Sequence, residues 1–395
     1  MALSDASIRS PARGGADKLG VLVALLVAAA WILLPFVLFR ANRIVPGAAV
    51  GPLDALPPLE LLLLAGLVAV ALPVSFFRTP VPWRLALGLA GLLLLSVLVG
   101  RAATHLLPPG DSFARVSPGA GFWLLAFAFA LLVADALTRL RPPPALRIGL
   151  LVLVFASLAA LLASGAWNDL SILREYANRA DSFWRELRNH ALLAFGSLAA
   201  AALVGIPLGI LCHRVRLLRV VVLNLLNMVQ TIPSIALFGL LIAPLAWVAA
   251  AVPGAAALGI SGIGATPALV ALFAYSLLPV VANTVVGLEG VPPAADDAAR
   301  GMGMTDLQRL RAVQLPLAFP VILTGIRIVL VQNIGLATIA ALIGGGGLGV
   351  FVFQGIGQQA VDLVLLGAVP TVALSFAAAV VLDALVELAS AGGRR

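Results

Sequence analysis

The residues whose types and spacing are most informative in this sequence form one polar segment between two long apolar runs. The segment is Asp297-Ala298-Ala299-Arg300-Gly301-Met302-Gly303, and Val313-Gln314-Leu315-Pro316 follows after nine residues. Ala298 and Ala299 are small enough to let a partner surface approach closely. We interpret the segment as a surface knob that is presented to a partner.

Local signals predict a short helix, a glycine break, a second short helix and a proline stop within residues 289–316. Pro292 and Pro293 lie where a first helical turn tolerates proline. Gly303 can take the left-handed conformation that ends a helix. Thr305 then begins the second helix, and Gln308 completes a capping box three positions later.

The elements that must position this knob are membrane-spanning helices. The chain has 395 residues, 62% of them hydrophobic and 11% charged, and no soluble fold covers that much apolar surface. The sequence therefore predicts an all-α polytopic membrane protein with about ten transmembrane helices. Runs of roughly 20 apolar residues, the length that spans a bilayer, occur near 19–39, 59–77, 84–100, 121–138, 146–164, 191–212, 220–250, 266–288, 318–343 and 361–388.

Two of the ten runs are unusual. The run 19–39 is longer than the core of a signal peptide, and no convincing cleavage site follows it, so we expect a retained helix. The run 220–250 exceeds one span, and Thr231-Ile232-Pro233-Ser234 marks a place where it could be broken or re-entrant.

The basic residues predict the orientation. With the N-terminus in the cytoplasm, 17 of the 25 basic residues lie on the cytoplasmic side, as the positive-inside rule requires. Ten spans return the C-terminus to the same side, and the knob lies there too. The net charge of +8 therefore reflects membrane topology, and we expect no nucleic-acid partner.

The composition along the chain predicts four regions. Residues 1–164 hold five compact spans, 165–186 form one amphipathic helix on the outer membrane surface, 187–388 hold the later spans, and 389–395 form a cytoplasmic tail. The alternative for the amphipathic stretch is a gate at the entrance.

The knob resembles the EAA loop of ATP-binding cassette (ABC) importer permeases, whose pattern is Glu-Ala-Ala, three residues, Gly, nine residues and an aliphatic-x-Leu-Pro. The one departure is Asp297 in place of Glu. The resemblance implies a type I ABC importer transmembrane domain over about 187–388, preceded by five extra helices. It implies a coupling loop at 289–316 that contacts an ATPase through Asp297, Ala298, Ala299, Arg300, Gly303, Leu315 and Pro316.

Further segments resemble the osmoprotectant branch of that family, which serves glycine betaine, choline and related quaternary amines. They are residues 230–236, 279–284 and 344–349. The extra N-terminal spans resemble a longer subgroup of this branch. The resemblance implies an ABC ATP-binding subunit that holds ATP and Mg, an extracytoplasmic substrate-binding protein, a second permease copy or related permease, a small-molecule substrate and an inner-membrane location.

Enzymatic chemistry finds no support in the sequence, and we expect no cofactor in this chain. The only lysine, Lys18, lacks the neighbours of a phosphate-binding loop. His105, His190 and His213 are too scattered for a metal site. ATP hydrolysis is therefore expected on a separate partner.

Charged residues in the spans indicate which source of energy could drive transport. Glu60, Asp135, Asp362, Asp383 and Glu387 lie near predicted helix ends, so an ion-coupled carrier lacks its usual mid-span carboxylate. Arg327, roughly ten residues into its span, is expected to snorkel to the headgroups, with a cytoplasmic vestibule as the alternative.

Prolines and glycines interrupt the later spans, where a translocation path is plausible. Gly205 and Gly209 form a Gly-x-x-x-Gly pair that favours close helix packing. Some of the polar residues in these spans could tie helices together instead of lining a path. The candidates are Asn224, Asn227, Gln230, Thr231, Ser234, Asn283, Thr284, Gln332 and Asn333.

Three alternatives remain open from sequence. One is an ABC permease for another small solute, such as an amino acid or sulfonate, because no aromatic cage for a quaternary amine is legible. The second is an ion-coupled secondary carrier, and the third is a structural scaffold.

Overall fold

The computed structural model describes residues 17–42, 45–108, 110–111 and 113–392. Arg9, Arg13, Arg394 and Arg395, which support the predicted orientation, lie outside this part of the chain. The helices are α1 (Lys18–Leu33), α2 (Pro52–Ala55), α3 (Pro58–Phe76), α4 (Val81–Leu106), α5 (Ala120–Leu140), α6 (Pro144–Ala163), α7 (Ser171–Asn178), α8 (Ala180–Arg214), α9 (Arg216–Thr231), α10 (Ser234–Leu240), α11 (Ile242–Ala251), α12 (Ala265–Glu289), α13 (Pro293–Gly301), α14 (Asp306–Arg309), α15 (Leu315–Leu336), α16 (Gly349–Gly357) and α17 (Val361–Gly392).

Nine helical stretches in the described residues are long and apolar enough to cross a membrane, and α1 is a shorter apolar helix. The predicted all-α polytopic class with about ten helices is therefore confirmed. The described strands are short: β1 (Val37–Arg40), β2 (Ala48–Val50) and β3 (Arg115–Pro118). They form one antiparallel sheet in the order β2-β1-β3.

The predicted first span, 19–39, is wrong at its end. Helix α1 stops at Leu33, and Val37–Arg40 is the central strand of the sheet. Leu34 precedes Pro35 and has extended backbone angles, as expected because a proline disfavours helical geometry in the residue before it.

The predicted single amphipathic helix over 165–186 is also wrong. Residues 164–169 form turns, α7 covers Ser171–Asn178, and a new helix begins at Ala180 and runs without interruption to Arg214. Arg179 separates the two helices with a non-helical backbone. The amphipathic residues of 180–186 are therefore the first turns of a spanning helix.

The long run 220–250 is broken where the sequence indicates. Helix α9 ends at Thr231, and Ile232 and Pro233 have extended backbone angles before α10 begins. The run 318–343 is shorter than predicted, because α15 ends at Leu336 and a 3-10 segment follows over Ile339–Ile343.

The chain divides into two compact units. The first comprises the described residues up to Pro142 together with Leu153–Arg174, and the second comprises Pro143–Val152 and the chain from Glu175 onward. In the first unit α1 packs on α3 and α5, and α4 packs on α5. Its core includes Val27, Leu95 and Phe129.

An ionic cluster lies within the first unit. Arg84, only 2% exposed, is ion-paired with Asp17 and donates hydrogen bonds to Thr79 Oγ1 (3.2 Å) and Phe77 O (2.9 Å). Arg139 pairs with Asp17 at 3.1 Å and with Asp135 at 2.8 Å. Each of the three guanidinium nitrogens of Arg84 therefore has a partner.

In the second unit α12 is the central helix. It packs on α8, α9 and α15, and α15 and α16 in turn pack on α17. Residues Gly205 and Gly209 of α8 face α12: a Cβ added at Gly209 would lie 2.6 Å from Thr284 Cβ, and one at Gly205 would lie 2.8 Å from Val280 Cγ1. The close packing predicted from this glycine pair is confirmed.

Candidate functional site

The first helix of the knob ends in a Schellman motif. Helix α13 has Pro292 at its N-cap and ends at Gly301. The Gly303 N–H donates to Arg300 O (3.0 Å), and the Met304 N–H donates to Ala299 O (3.1 Å). Gly303 has φ +79°, the left-handed conformation that this motif requires. The predicted glycine break is confirmed.

The second helix of the knob begins with the predicted capping box. Thr305 is the N-cap, its N–H donates to Gln308 Oε1 (2.8 Å), and the Gln308 N–H donates to Thr305 Oγ1 (3.4 Å). These bonds satisfy two backbone donors that a helix start leaves without partners.

The predicted proline stop is wrong. Helix α14 passes into a π-helical segment over Leu310–Gln314 and then directly into α15. In this segment the Leu315 N–H donates to Leu310 O, five residues back. The wider π turn accommodates Pro316, which lacks an N–H and would clash with a carbonyl four residues back in a regular helix. The knob is thus continuous with a spanning helix.

Ionic contacts tie the two halves of the knob together. Arg309, with an 11% exposed side chain, pairs with Asp296 on α13 and with Asp306 on α14, both at 2.6 Å. The Gln314 side chain donates to the other oxygen of Asp296 at 2.8 Å. Asp296 therefore connects α13 to the π-helical segment, which continues as α15.

The outer face of the knob is accessible. Asp297, Ala298, Arg300 and Pro316 are exposed and Leu315 is half-buried, whereas Ala299 is buried against the chain. Of the two alanines, only Ala298 offers contact area. An open cleft of about 500 Å³ lies beside the turn, and its lining residues are Met302, Gly303, Met304, Leu307, Gln308, Arg311 and Ala312.

Two of the candidate path residues are packed between helices. Asn333 on α15 is fully buried, and its Nδ2 donates to Ser197 Oγ on α8 (2.8 Å) and Ser276 Oγ on α12 (2.9 Å). Thr284 is also fully buried, and its hydroxyl donates to Val280 O (2.7 Å) in its own helix. Asn333 thus joins three helices, whereas Thr284 bonds within α12 and packs against Gly209 of α8.

Gln230 stabilises the helix break. Its Nε2 donates to Tyr275 O (2.8 Å), and the Tyr275 hydroxyl donates to Ile232 O (2.5 Å), a carbonyl in the break itself. The remaining path candidates keep accessible surface: Asn224, Asn227 and Thr231 are exposed, and Ser234, Asn283 and Gln332 are half-buried. Their role in a path stays a prediction.

The glycine-rich stretch 344–349 is held by a buried carboxylate. Glu186, 8% exposed near the start of α8, accepts a hydrogen bond from the Gly347 N–H at 2.8 Å. Gly346 lies so close that an added Cβ would be 2.7 Å from Glu186 Oε2. The sequence places Glu186 in the linker; the continuous helix α8 brings it to this loop.

Sequence reasoning missed the residues that act through partners distant in the chain, namely Asp296, Arg309, Ser197, Ser276 and Glu186. Arg327 is another such case, since it does not snorkel alone but is ion-paired with Asp383 on α17. The one local signal was the spacing of Asp306 and Arg309 on one helix face.

The fold is that of a polytopic helical membrane protein, and the comparison with known families gives its class. Residues 205–392 match the family described as the binding-protein-dependent transport system inner membrane component, and residues 17–173 match the N-terminal domain of ABC transporter permease YehY. The chain belongs to this family of ABC importer permeases. It is thus a transport subunit and a multi-pass inner-membrane protein.

Two relatives support this placement. The chain is 43% identical over 198 residues to the osmoprotectant import permease protein OsmW of Salmonella typhimurium, covering 50% of this chain and 85% of that protein. It is 36% identical over 200 residues to the choline transport system permease protein OpuBB of Bacillus subtilis, covering 51% and 83%. A solved chain of the MetNI methionine ABC transporter is similar at TM-score 0.47 and 25% identity, covering 54% and 98%.

Proposed function

We propose that this chain imports osmoprotectants such as glycine betaine, choline or related quaternary amines, as the permease of an ATP-driven importer. A separate subunit binds ATP and Mg and seats the knob in a groove on its surface. An extracytoplasmic binding protein selects the substrate, and a second permease copy or related permease completes the path. The N- and C-termini lie in the cytoplasm.

The observation that carries the proposal is the continuity of the knob with α15. The ionic contacts of Asp296 tie α13 to the π-helical segment, and that segment continues as α15. Closure of the ATP-binding subunits would move α13, and the same movement would reach α15. The names of the relatives support the substrate class, since they transport osmoprotectants, choline, glycine betaine and carnitine.

Co-purification with a Gly303→Asp variant tests the docking. A tagged chain is purified from its native membrane in mild detergent, and bound proteins are identified by mass spectrometry. Position 303 requires a left-handed backbone and borders the cleft, so a side chain there both strains the turn and intrudes on the partner surface. We expect the ATP-binding subunit to co-purify with the wild type. With Gly303→Asp the amount of bound subunit should fall at least tenfold, which corresponds to roughly 1.4 kcal/mol of binding free energy.

Gly301→Asp is the matched control. Gly301 is two residues away, exposed and helical, and an added Cβ there meets open space. It carries the same new charge without the left-handed strain, so it should retain most of the subunit. If the wild type and Gly303→Asp are inserted in the membrane equally and recover equal amounts of the ATP-binding subunit, docking through the knob is contradicted.

A further inference from the structure

A second ionic cluster lies in the second unit, away from the knob. Asp383 on α17 is ion-paired through Oδ1 with Arg327 on α15 and through Oδ2 with Arg147 on α6, the latter at 2.6 Å. Arg147 is also ion-paired with Glu387, one turn further along α17. One carboxylate thus joins three helices through two ion pairs, one at each of its oxygens.

The position of Arg327 explains why this pairing matters. Arg327 is 12 residues into α15, roughly 18 Å along the helix axis from Leu315 at 1.5 Å per residue. A charge at that depth in an apolar helix is costly unless it is paired. Asp383 is the partner that α17 supplies, and any axial movement or rotation of α15 must stretch or break this pair.

Arg147 brings α6 into the same ionic cluster. It lies in the first turn of α6, and its segment Pro143–Val152 belongs with the permease unit, whereas the rest of α6 counts with the first unit. The chain therefore contributes one residue of its N-terminal region to the ionic environment of a permease helix. The side chain of Arg147 is only 23% exposed, so it is largely committed to this contact.

We propose that Asp383 is a positioning residue shared by α15 and α6, through which Arg147 of the N-terminal region restrains α15 during the transport cycle. The proposal rests on the function proposed above, since α15 is the helix that continues from the knob. Oδ2 of Asp383 is held by Arg147, so Oδ1 keeps a fixed position for Arg327. Without Arg147 the carboxylate can rotate, and α15 loses a defined resting position.

Uptake kinetics of single and double variants test the shared carboxylate. Labelled glycine betaine uptake is measured in cells that carry the complete importer and is normalised to the amount of chain in the membrane. We expect Arg147→Gln to lower the maximal rate by about threefold to tenfold. The concentration for half-maximal uptake should not change, because the ion pairs of Arg147 are with Asp383 and Glu387, which are not among the proposed path residues. Arg147→Lys should restore more than half of the rate, which loss of packing alone would not do.

Combination with Asp383→Asn shows whether the effect passes through Asp383. In that background, Arg147→Gln should change the rate by less than about twofold, because the shared acceptor has already lost its charge. Arg101→Gln is the control, since it removes a 3.0 Å ion pair with Glu60 in the first unit, and it should transport at the wild-type rate. Control-level uptake by Arg147→Gln, or an undiminished effect in the Asp383→Asn background, would overturn the proposal.

A measurement on the purified chain separates this proposal from the proposed function. If the wild type moves no glycine betaine or choline, the substrate class is wrong, and the apparent melting temperatures of the same variants in detergent become the test. Arg147→Gln and Arg327→Gln should each lower the melting temperature less in the Asp383→Asn background than in the wild type. Undiminished losses in that background would exclude a shared acceptor whatever the substrate is.

Discussion

Two adjacent carboxylates in the knob have different environments. Asp296 is the inner one and accepts from Arg309 at 2.6 Å and from Gln314 at 2.8 Å. Asp297 is exposed and occupies the position where related loops have glutamate. The structure therefore separates a residue that holds the knob together from one that is free to meet a partner.

Replacing each of these carboxylates by its amide should give opposite results. Asp296→Asn removes the charge that Arg309 needs and should cost about 2 kcal/mol of local stability, visible as faster hydrogen exchange across residues 293–314. Asp297→Asn should leave hydrogen exchange unchanged. It should lower the affinity for the ATP-binding subunit by about threefold to tenfold, measured by titration in detergent. Faster exchange with Asp297→Asn and not with Asp296→Asn would reverse these roles.

Among the candidate path residues, Asn333 most clearly makes contacts between helices. Its side chain joins α8, α12 and α15 through Ser197 and Ser276. Both serine hydroxyls also donate to carbonyls in their own helices, so they keep partners without Asn333. The interhelical bonds are thus the specific contribution of Asn333.

Asn333→Ala should destabilise the bundle without altering substrate choice. We expect the free energy of unfolding to fall by about 1–2 kcal/mol, which is measured as a lower apparent melting temperature in detergent. The ratio of glycine betaine to choline uptake should stay as in the wild type. Asn227→Ala is the comparison, because Asn227 is exposed and should leave the melting temperature unchanged. A changed uptake ratio with an unchanged melting temperature would place Asn333 on the path instead.

Local sequence signals predict some structural elements correctly and fail to predict others. The glycine break at Gly303 and the capping box at Thr305 depend on residues within a few positions, so the sequence predicts them correctly. The passage through Pro316 depends on a π turn, and the strand after α1 depends on pairing with Arg115–Pro118, between 75 and 81 residues away. Such choices are made by tertiary contacts that no local pattern contains.

At the scale of the whole molecule, the first unit has its own ionic centre. Burial opposes ionisation of Asp17, but hydrogen bonds and attraction from Arg84 and then Arg139 outweigh it and lower the pKa of this carboxyl below its ordinary value of 3.8. A carboxyl whose folded-state pKa is lowered stabilises the fold above about pH 3.8. That contribution is lost as the pH falls through the folded-state pKa.

Arg84→Gln should therefore destabilise the first unit at neutral pH. The substitution leaves Arg139 as the shared partner of Asp17 and Asp135. We expect the free energy of unfolding to fall by about 3 kcal/mol. The apparent melting temperature should fall at pH 7, and its further decline below about pH 4 should be smaller than in the wild type. Arg101→Gln, which removes a pair with a 55% exposed arginine, should change little. A wild-type melting curve for Arg84→Gln would show that the cluster contributes no stability.

The central claim is that an ATPase, acting through the knob, drives the import of quaternary amines. The most direct measurement is uptake of labelled glycine betaine into cells that have no other route for it, with ionophores that collapse ion gradients while ATP is maintained. Our account predicts that uptake continues with the wild type and with Gly301→Asp, and is abolished by Gly303→Asp at equal membrane insertion. Transport by the purified chain alone in liposomes, driven by an ion gradient and unaffected by Gly303→Asp, would contradict it.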